Sequence, residues 1–284
     1  MVLYLVLLIA LTKTVEKKMS KPFLKWAGGK SQHLKEMSKY FPRSFDRYVE
    51  PFLGSGSVFF FLKPSKAFLS DSNSELINTF QMVKDRPEQV INKLLQHENT
   101  KMHFLITRQL KPVYLESVER AARFIFLNKT CFNGLYRVNS KNEFNTPFGD
   151  YDNPNFCDET TIRVCSKILN NSETEIRSIY FEQVLFNVQE NDFVYLDPPY
   201  YQFENSKFTN YTRKGFGQID HEKLAQCFEA LSKKNVKLLL SNSDCEWVRN
   251  RYKNFEIIEL KGKRSINAKG NGRGRVSELL IKNY

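Results

Sequence analysis

The sequence predicts a Rossmann-like α/β fold, in which a largely parallel sheet carries helices on both faces. The segment Phe193–Leu196 is apolar without alternation, which is typical of a strand buried on both faces. A short strand at 47–50 runs into a glycine turn at 51–57 and then into an apolar stretch that favours a helix. The next strand, Lys66–Ser70, ends at Asp71. A glycine turn followed by an acidic strand end predicts a site for an adenosine-bearing cofactor.

Between about residue 87 and residue 130 the pattern is helical and contains no predicted strand. One helix face there is expected to be buried and to hold Val118, Ala121, Ala122 and Ile125. The opposite face is expected to be exposed and to hold Glu119, Arg120 and Arg123. We therefore expect an inserted unit at 86–158 and a sheet unit formed by 19–85 and 159–284.

The strand Phe193–Leu196 leads directly into Asp197, Pro198, Pro199 and Tyr200. The two prolines donate no backbone N–H, so they end the strand and leave carbonyl groups exposed. The Asp197 carboxylate and a neighbouring carbonyl can accept hydrogen bonds from the two N–H groups of an exocyclic amine. The Tyr200 ring can stack on a planar base. These four residues alone fit a proline turn with a helix-capping aspartate equally well, so the rest of the chain has to decide.

Two further segments carry residues suited to ligands. Gly28 and Gly29 precede a helical stretch at 31–40 and would place Lys30 near a helix N-terminus, a position that favours a carboxylate or phosphate. An ordinary turn explains the glycine pair taken alone. The segment 131–149 contains an Asn-Gly turn and then alternates like a β-ribbon, with aromatic, Asn and Arg side chains that can stack on bases or read guanine. A packed hairpin is the alternative.

Composition narrows the function classes. The chain has 284 residues and a formal net charge of +12, which suits an anionic partner. Its five cysteines form no C-x-x-C pair and its four histidines lack metal-ligand spacing, so we expect no metal site and a reducing compartment.

The apolar run at 2–10 is too short to span a bilayer and lacks the flanks of a signal peptide. We expect Met19 to be the natural start and 1–18 to be an extension that packs poorly. We also expect a mobile loop at 207–218 over the site and a basic loop at 261–275 that contacts phosphates.

Four motifs together resemble those of the Dam-type, α-group DNA adenine-N6 methyltransferases, including type II restriction-system enzymes that act on GATC. They are Phe-Leu-Lys-Trp-Ala-Gly-Gly-Lys at 23–30, Glu-Pro-Phe-Leu-Gly-Ser-Gly at 50–56, Phe-Asn-Gly-Leu-Tyr-Arg at 132–137 and Asp-Pro-Pro-Tyr at 197–200. Their order is that of the α group: cofactor motif, target-recognition insertion, catalytic motif. The resemblance implies an S-adenosylmethionine-dependent methyltransferase sheet with a mainly helical target-recognition insertion that carries a β-hairpin.

The resemblance also implies roles for individual residues. S-adenosyl-L-methionine would be surrounded by Trp26, Lys30, Phe52, Gly54, Gly56, Asp71 and Asp197. The catalytic set would be Asp197 and the Pro198 carbonyl, which hold the adenine amine, and Tyr200, which stacks on the flipped base. Double-stranded DNA would be contacted by Lys25, Phe132, Asn133, Leu135, Arg137 and Pro147. In the family pattern Phe132 props the vacated stack, Leu135 and Pro147 touch a thymine methyl and Arg137 reads a guanine, so GATC is the expected target.

One departure from the family pattern and several alternatives stand beside this hypothesis. Close relatives carry Asp-Phe-Glu shortly before the catalytic strand, where this chain has Tyr180-Phe181-Glu182. Methylation of cytosine N4 or of RNA adenine, and a non-catalytic DNA-binding protein on the same fold, are the alternatives. We expect a cytoplasmic, nucleoid-associated monomer or weak dimer without membrane contact. A cognate restriction endonuclease could act on the same site without forming a stable complex.

Overall fold

A computed structural model describes residues 20–201, 216–263 and 275–284. Its seven-stranded sheet consists of β1 (Tyr48–Glu50), β2 (Lys66–Ser70), β3 (Glu173–Arg177), β4 (Phe193–Leu196), β5 (Lys237–Ser243), β6 (Glu256–Lys263) and β7 (Arg275–Lys282). The α-helices of the described residues are α1 (Leu34–Met37), α2 (Ser57–Leu62), α3 (Ser74–Asp85), α4 (Pro87–Leu94), α5 (Lys101–Gln109), α6 (Ser117–Thr130), α7 (Glu159–Asn171), α8 (Phe181–Phe186), α9 (Gln218–Ser232) and α10 (Glu246–Arg251). The Rossmann-like α/β prediction is confirmed.

The strand order is β3-β2-β1-β4-β5-β7-β6. The first five strands in this order are parallel, and β7 runs antiparallel between β5 and β6. The chain order reverses between β1 and β4, and in such sheets ligands bind outside the carboxyl ends of the strands at this reversal. The fold therefore places Asp197, which follows β4, at the point where a ligand is expected.

The central strand β4 is buried on both faces, as its unbroken apolar run predicts. Phe193 and Tyr195 belong to one hydrophobic core, while Val194 and Leu196 belong to a second core on the opposite side of the sheet. Alternate residues of a strand point to opposite faces, so both cores close over this strand. This burial fixes the direction in which the chain leaves β4.

The inserted helices pack with the sheet in one core. Val90 of α4, Phe104 of α5 and Phe126 of α6 belong to the same hydrophobic cluster as Tyr195 of β4. The insertion is mainly helical, as the sequence predicts, and its boundaries at residues 86 and 158 stay a prediction.

Several sequence expectations about local structure were wrong. Arg123 is buried, because its guanidinium donates to the carbonyls of Thr107 and Arg108. The stretch 31–40 is not one helix: short 3₁₀ turns at Lys30–Gln32 and Ser38–Tyr40 flank α1, and none of the three begins with a side-chain cap.

The hairpin of the insertion is also less regular than predicted. The Asn-Gly turn forms, with positive φ values of 55° at Asn133 and 64° at Gly134. The rest of the segment is linked by the isolated bridges Cys131↔Phe148 and Val138↔Phe144 rather than by a continuous ribbon. The loop is held by separate backbone hydrogen bonds, such as that from the Asn145 N–H to the Arg137 carbonyl, and by side-chain bonds to the backbone, such as that from the Thr146 hydroxyl to the Leu135 carbonyl. The extension at 1–18, most of the loop at 207–218 and most of the basic loop at 261–275 lie outside the described residues.

Replacement of Phe193 tests the importance of the central strand for stability. Its ring is fully buried and lies 5.4–5.9 Å from the rings of Phe41, Phe45 and Tyr48. Phe193→Ala is expected to lower the free energy of unfolding by about 3–5 kcal/mol, measured by urea denaturation. The matched control is Phe186→Ala, since Phe186 is 90% exposed and its loss should cost less than about 0.5 kcal/mol. Equal losses in the two variants would contradict the burial of β4.

Candidate functional site

The site is built around an ion pair at the carboxyl end of β4. The Lys30 ammonium lies 2.7 Å from Asp197 Oδ1 and 3.3 Å from Glu278 Oε1, and it donates to the Gly28 carbonyl at 2.8 Å. The Tyr200 hydroxyl donates to Glu278, and Lys30 Nζ lies 4.9 Å from the centre of the Tyr200 ring. Lys30 is 3% exposed, so its charge is balanced almost entirely by these neighbours. Pro198 is also buried.

Three distant segments supply this cluster, and the sheet explains how they meet. Asp197 and Tyr200 leave the end of β4, and Glu278 lies on β7, opposite Ser243 of β5 in the antiparallel register. Lys30 begins a 3₁₀ turn that follows the two glycines. The sequence predicts Lys30 near a helix start as a ligand for an anion, and the structure shows that its anionic partners are side chains of the protein.

Burial and neighbouring charges shift the pKa values in this cluster. Burial raises the pKa of Asp197 to about 6, with Lys30 lowering it and Glu278 raising it. Burial lowers the pKa of Lys30, but the carboxylates of Asp197 and Glu278 outweigh this and hold that pKa above its ordinary value. Asp197 is therefore largely ionised at neutral pH and can accept hydrogen bonds.

The glycine turn after β1 lies beside the cluster and is closed by Asp71. Gly54 and Gly56 have φ values of 47° and 68°, which favour glycine. Asp71 accepts hydrogen bonds from the backbone N–H groups of Gly54 at 3.2 Å and Asn73 at 3.0 Å. Burial raises the pKa of Asp71 to about 6. A Cβ at position 54 would lie 2.8 Å from the Trp26 ring, so the turn and this ring are in close contact.

Aromatic rings line the neighbouring part of the sheet edge. Phe52 stacks on Phe181, with ring centroids 5.4 Å apart, and meets Phe216 edge-on at 5.6 Å. The Tyr180 hydroxyl donates to Asp220 Oδ1 at 3.3 Å. A carboxylate from α9 thus contacts Tyr180, at the position where the family resemblance implies an aspartate. Asp220 lies in the first turn of α9 and accepts a hydrogen bond from the Gly217 N–H.

The predicted DNA-contacting residues gather at one place, where Lys25 meets the loop 131–149. Phe132 is 48% exposed, and its N–H donates to the Pro147 carbonyl at 2.9 Å. The Lys25 ammonium lies 4.7 Å from the centre of the Tyr151 ring, and the Asn133 N–H donates to the Tyr151 hydroxyl at 2.9 Å. Tyr151 therefore joins the predicted residues from positions 25 and 133.

Arg137 and Leu135 are held by the opposite side of the same loop. Arg137 Nε donates to Asn145 Oδ1 at 2.8 Å, and the Asn145 N–H donates to the Arg137 carbonyl at 3.0 Å. The Leu135 carbonyl accepts from the Thr146 hydroxyl at 2.7 Å. These bonds orient the guanidinium and fix the loop on which it stands.

The segment from Lys25 to Lys30 connects the two regions. Trp26 stacks on Tyr136 of the loop 131–149, with ring centroids 5.8 Å apart and an interplanar angle of 16°. Four residues later Lys30 pairs with Asp197. The predicted DNA-contacting and catalytic residues are therefore linked by six consecutive residues.

Sequence reasoning missed three residues of the site. Glu278 directly precedes the apolar run at 279–281, but its position at the site depends on the antiparallel register of β7 with β5, so no local pattern marks it. Glu50 is 2% exposed, and burial raises its pKa well above the ordinary value; it ends a buried strand, as Asp71 does. Tyr151 follows Pro147 by four residues, and no local signal distinguishes it from the other aromatic residues of the loop.

The described residues contain neither a candidate metal-binding group nor a candidate membrane-spanning helix. No group of three or more His, Cys, Asp or Glu side chains suited to a metal ion occurs among them. In the same part of the chain, each helix is too short or too polar to cross a membrane.

Comparison with known proteins shows the family. A family model described as D12 class N6 adenine-specific DNA methyltransferase matches residues 26–266. A relative from Lactococcus lactis subsp. cremoris, named type II methyltransferase M1.LlaDCHI, is 42% identical, and the match covers 93% of this chain and 95% of the relative. The type II methyltransferase M.MjaIII of Methanocaldococcus jannaschii is 39% identical, with 93% and 99% covered. A DNA adenine methylase of Serratia marcescens is 34% identical, with 93% and 98% covered.

Removal of the Glu278 charge tests how the cluster sets the pKa of Asp197. Glu278 raises that pKa and competes with Asp197 for Lys30, so Glu278→Gln is expected to lower it from about 6. The measurement is a ¹³C carboxyl NMR titration, with Asp197→Asn used to assign the signal. The control is Glu256→Gln, which removes an exposed glutamate from the adjacent strand β6 and should leave the titration unchanged. An Asp197 pKa that stays the same or rises in Glu278→Gln would refute this coupling.

Proposed function

The chain belongs to the D12 class of N6 adenine-specific DNA methyltransferases, and we propose that it moves a methyl group from S-adenosyl-L-methionine to N6 of a flipped adenine at GATC in double-stranded DNA. The observation that carries the proposal is the position of Asp197, Pro198 and Tyr200 at the reversal of strand order, where Lys30 and Glu278 hold Asp197 and Tyr200. The family description names adenine N6, so cytosine N4 is not the favoured target.

The residues at the sheet edge fit S-adenosylmethionine. Asp71, Asp197 and Glu278 lie at this edge with Lys30, so carboxyl groups outnumber the ammonium among these residues. An excess of carboxylates suits a ligand that carries a sulfonium and an ammonium group. Phe52, which is half-buried and stacks on the buried Phe181, offers an aromatic face for the adenine of the cofactor, and Asp71 suits its ribose. Bound there, S-adenosylmethionine would supply an electrophilic methyl group.

The chain's own groups hold the target amine. Asp197 and the Pro198 carbonyl accept hydrogen bonds from its two N–H groups, which leaves the nitrogen lone pair less delocalised into the ring. Tyr200 stacks on the base and is itself oriented by Glu278. Asp197 need not be a strong base, because the proton can leave after methyl transfer. The contribution of the protein is thus mainly positioning and electrostatics.

A second group of residues, Lys25 and the loop 131–149, would bind the DNA. An adenine inside a duplex is out of reach of the sheet edge, so the base has to leave the stack. Phe132, which is 48% exposed, can fill or prop the space it vacates. Arg137 has a fork oriented by Asn145, which suits a guanine edge, and Leu135 and Pro147 can contact a thymine methyl. Together with Lys25 and Asn133, these residues support GATC as the target.

The names of two relatives bear on the biological partner. M1.LlaDCHI and M.MjaIII are called type II methyltransferases. We therefore propose that a restriction endonuclease recognises the same sequence and acts on it without a stable complex with this chain. The enzyme itself works as a monomer or weak dimer, since the described residues of one chain include both the proposed catalytic residues and the proposed DNA-contacting residues.

The proposal is tested by methyl transfer from labelled S-adenosylmethionine to two duplexes, one with a single GATC and one with that sequence scrambled. We expect N6-methyladenine only in the first duplex, identified by nucleoside analysis. Equal labelling of both duplexes would overturn the sequence assignment, and methylated cytosine would overturn the base assignment. A chain that binds the cofactor but labels neither DNA would overturn the proposed reaction.

A further inference from the structure

Asn128 is a fully buried polar residue that the proposed reaction does not use. It lies in the last turn of α6 and is 0% exposed. Asparagine is a weak helix former, because its side chain competes for backbone hydrogen bonds. Its presence among the apolar residues of this helix therefore calls for a specific partner.

That partner is the main chain of two other segments. Asn128 Oδ1 accepts from the Lys25 N–H at 2.9 Å, and Asn128 Nδ2 donates to the Lys25 carbonyl at 2.8 Å. The same Nδ2 donates to the Gly134 carbonyl at 3.2 Å. One side chain thus satisfies both backbone groups of Lys25, which is 103 residues away, and also reaches the Asn133–Gly134 turn.

The two segments that Asn128 joins are in direct contact. Gly134 has φ of 64°, and a Cβ built there would lie 2.6 Å from the Lys25 Cβ. Tyr151 adds a second link, since its ring lies under the Lys25 ammonium and its hydroxyl accepts from the Asn133 N–H. Lys25 and the turn are therefore held together as one unit, with Asn128 at its buried side.

We propose that Asn128 is a positioning residue for target discrimination. It fixes Lys25 relative to the Asn133–Gly134 turn, so that both reach the same stretch of DNA in one register. The inference rests on the proposed function for the assignment of these two segments to DNA. Without the Asn128 bonds each segment could contact DNA independently, and sequences with one changed base pair would be accepted more readily.

Asn128→Asp is the most informative variant. It keeps the size of the side chain and the acceptor for the Lys25 N–H, and it loses both donated hydrogen bonds. The matched control is Asn283→Asp. Asn283 likewise accepts from the Leu238 N–H and donates to the Val236 carbonyl, each at 2.8 Å, at the amino end of β5 away from the site.

The test maps N6-methyladenine in a random-sequence DNA library at several times of reaction, which gives a rate for each sequence. The wild-type protein defines its own target, so a target other than GATC would count against the proposed function and still leave the comparison between variants valid. For Asn128→Asp we expect the rate ratio between the wild-type target and its one-base-pair variants to fall by about tenfold or more. Asn283→Asp should keep the wild-type ratio, even where both variants melt at a lower temperature.

Two results would overturn the proposal. One is an Asn128→Asp protein whose rates fall by the same factor on every sequence. The other is a lower melting temperature with the wild-type rate ratio. If Asn128→Asp does not fold, Gly134→Ala decides, because its methyl group pushes against Lys25 from the turn side and should broaden the set of methylated sequences in the same way. An unchanged set in Gly134→Ala would then refute the role of this contact.

Discussion

The buried ion pair of Lys30 with Asp197 is the constraint on which the site depends. An ammonium that is 3% exposed is tolerated only beside opposite charge, and removal of one partner of such a pair typically costs about 3–5 kcal/mol. Asp197 satisfies this need from the end of β4, and Glu278 supplies a second carboxylate from β7. Glu278 also accepts a hydrogen bond from the Tyr200 hydroxyl. The groups proposed to hold the adenine amine and its ring are therefore fixed by a single network of ion pairs and hydrogen bonds.

The position of this pair also brings the proposed catalytic residues close to the residues proposed to read the target. Lys30 ends a short segment that begins at Lys25, so the segment that pairs with Asp197 also contacts the loop 131–149 at Gly134. Trp26 lies between them, against both the Gly54 turn and Tyr136. A displacement of the loop 131–149 therefore acts on a segment only six residues long. A connection this short suits the proposed reaction, in which one base of a specific sequence is placed at Asp197.

Much of this arrangement could be predicted from the sequence, and the exceptions have a common cause. The bounds of β2 and β4, the positive-φ glycine turn and the Asn-Gly turn depend on local sequence, and the structure confirms them. The family and the reaction class followed from four motifs in order and are also confirmed. Glu278 and the buried Arg123 depend on which distant groups a side chain meets, here an antiparallel register and two carbonyls of α5. A single sequence does not encode such long-range pairings in a local pattern.

The most direct test of the account is the single-turnover rate of methyl transfer by Asp197→Asn, at saturating S-adenosylmethionine and duplex DNA. The substitution keeps the shape of the side chain and removes the charge that pairs with Lys30 and accepts the target amine. The account predicts a rate lower by about a hundredfold or more, with DNA affinity close to that of the wild type and no effect of the exposed control Glu190→Gln. A rate within a factor of about ten of the wild type, in a protein that binds DNA normally, would contradict the role given to Asp197.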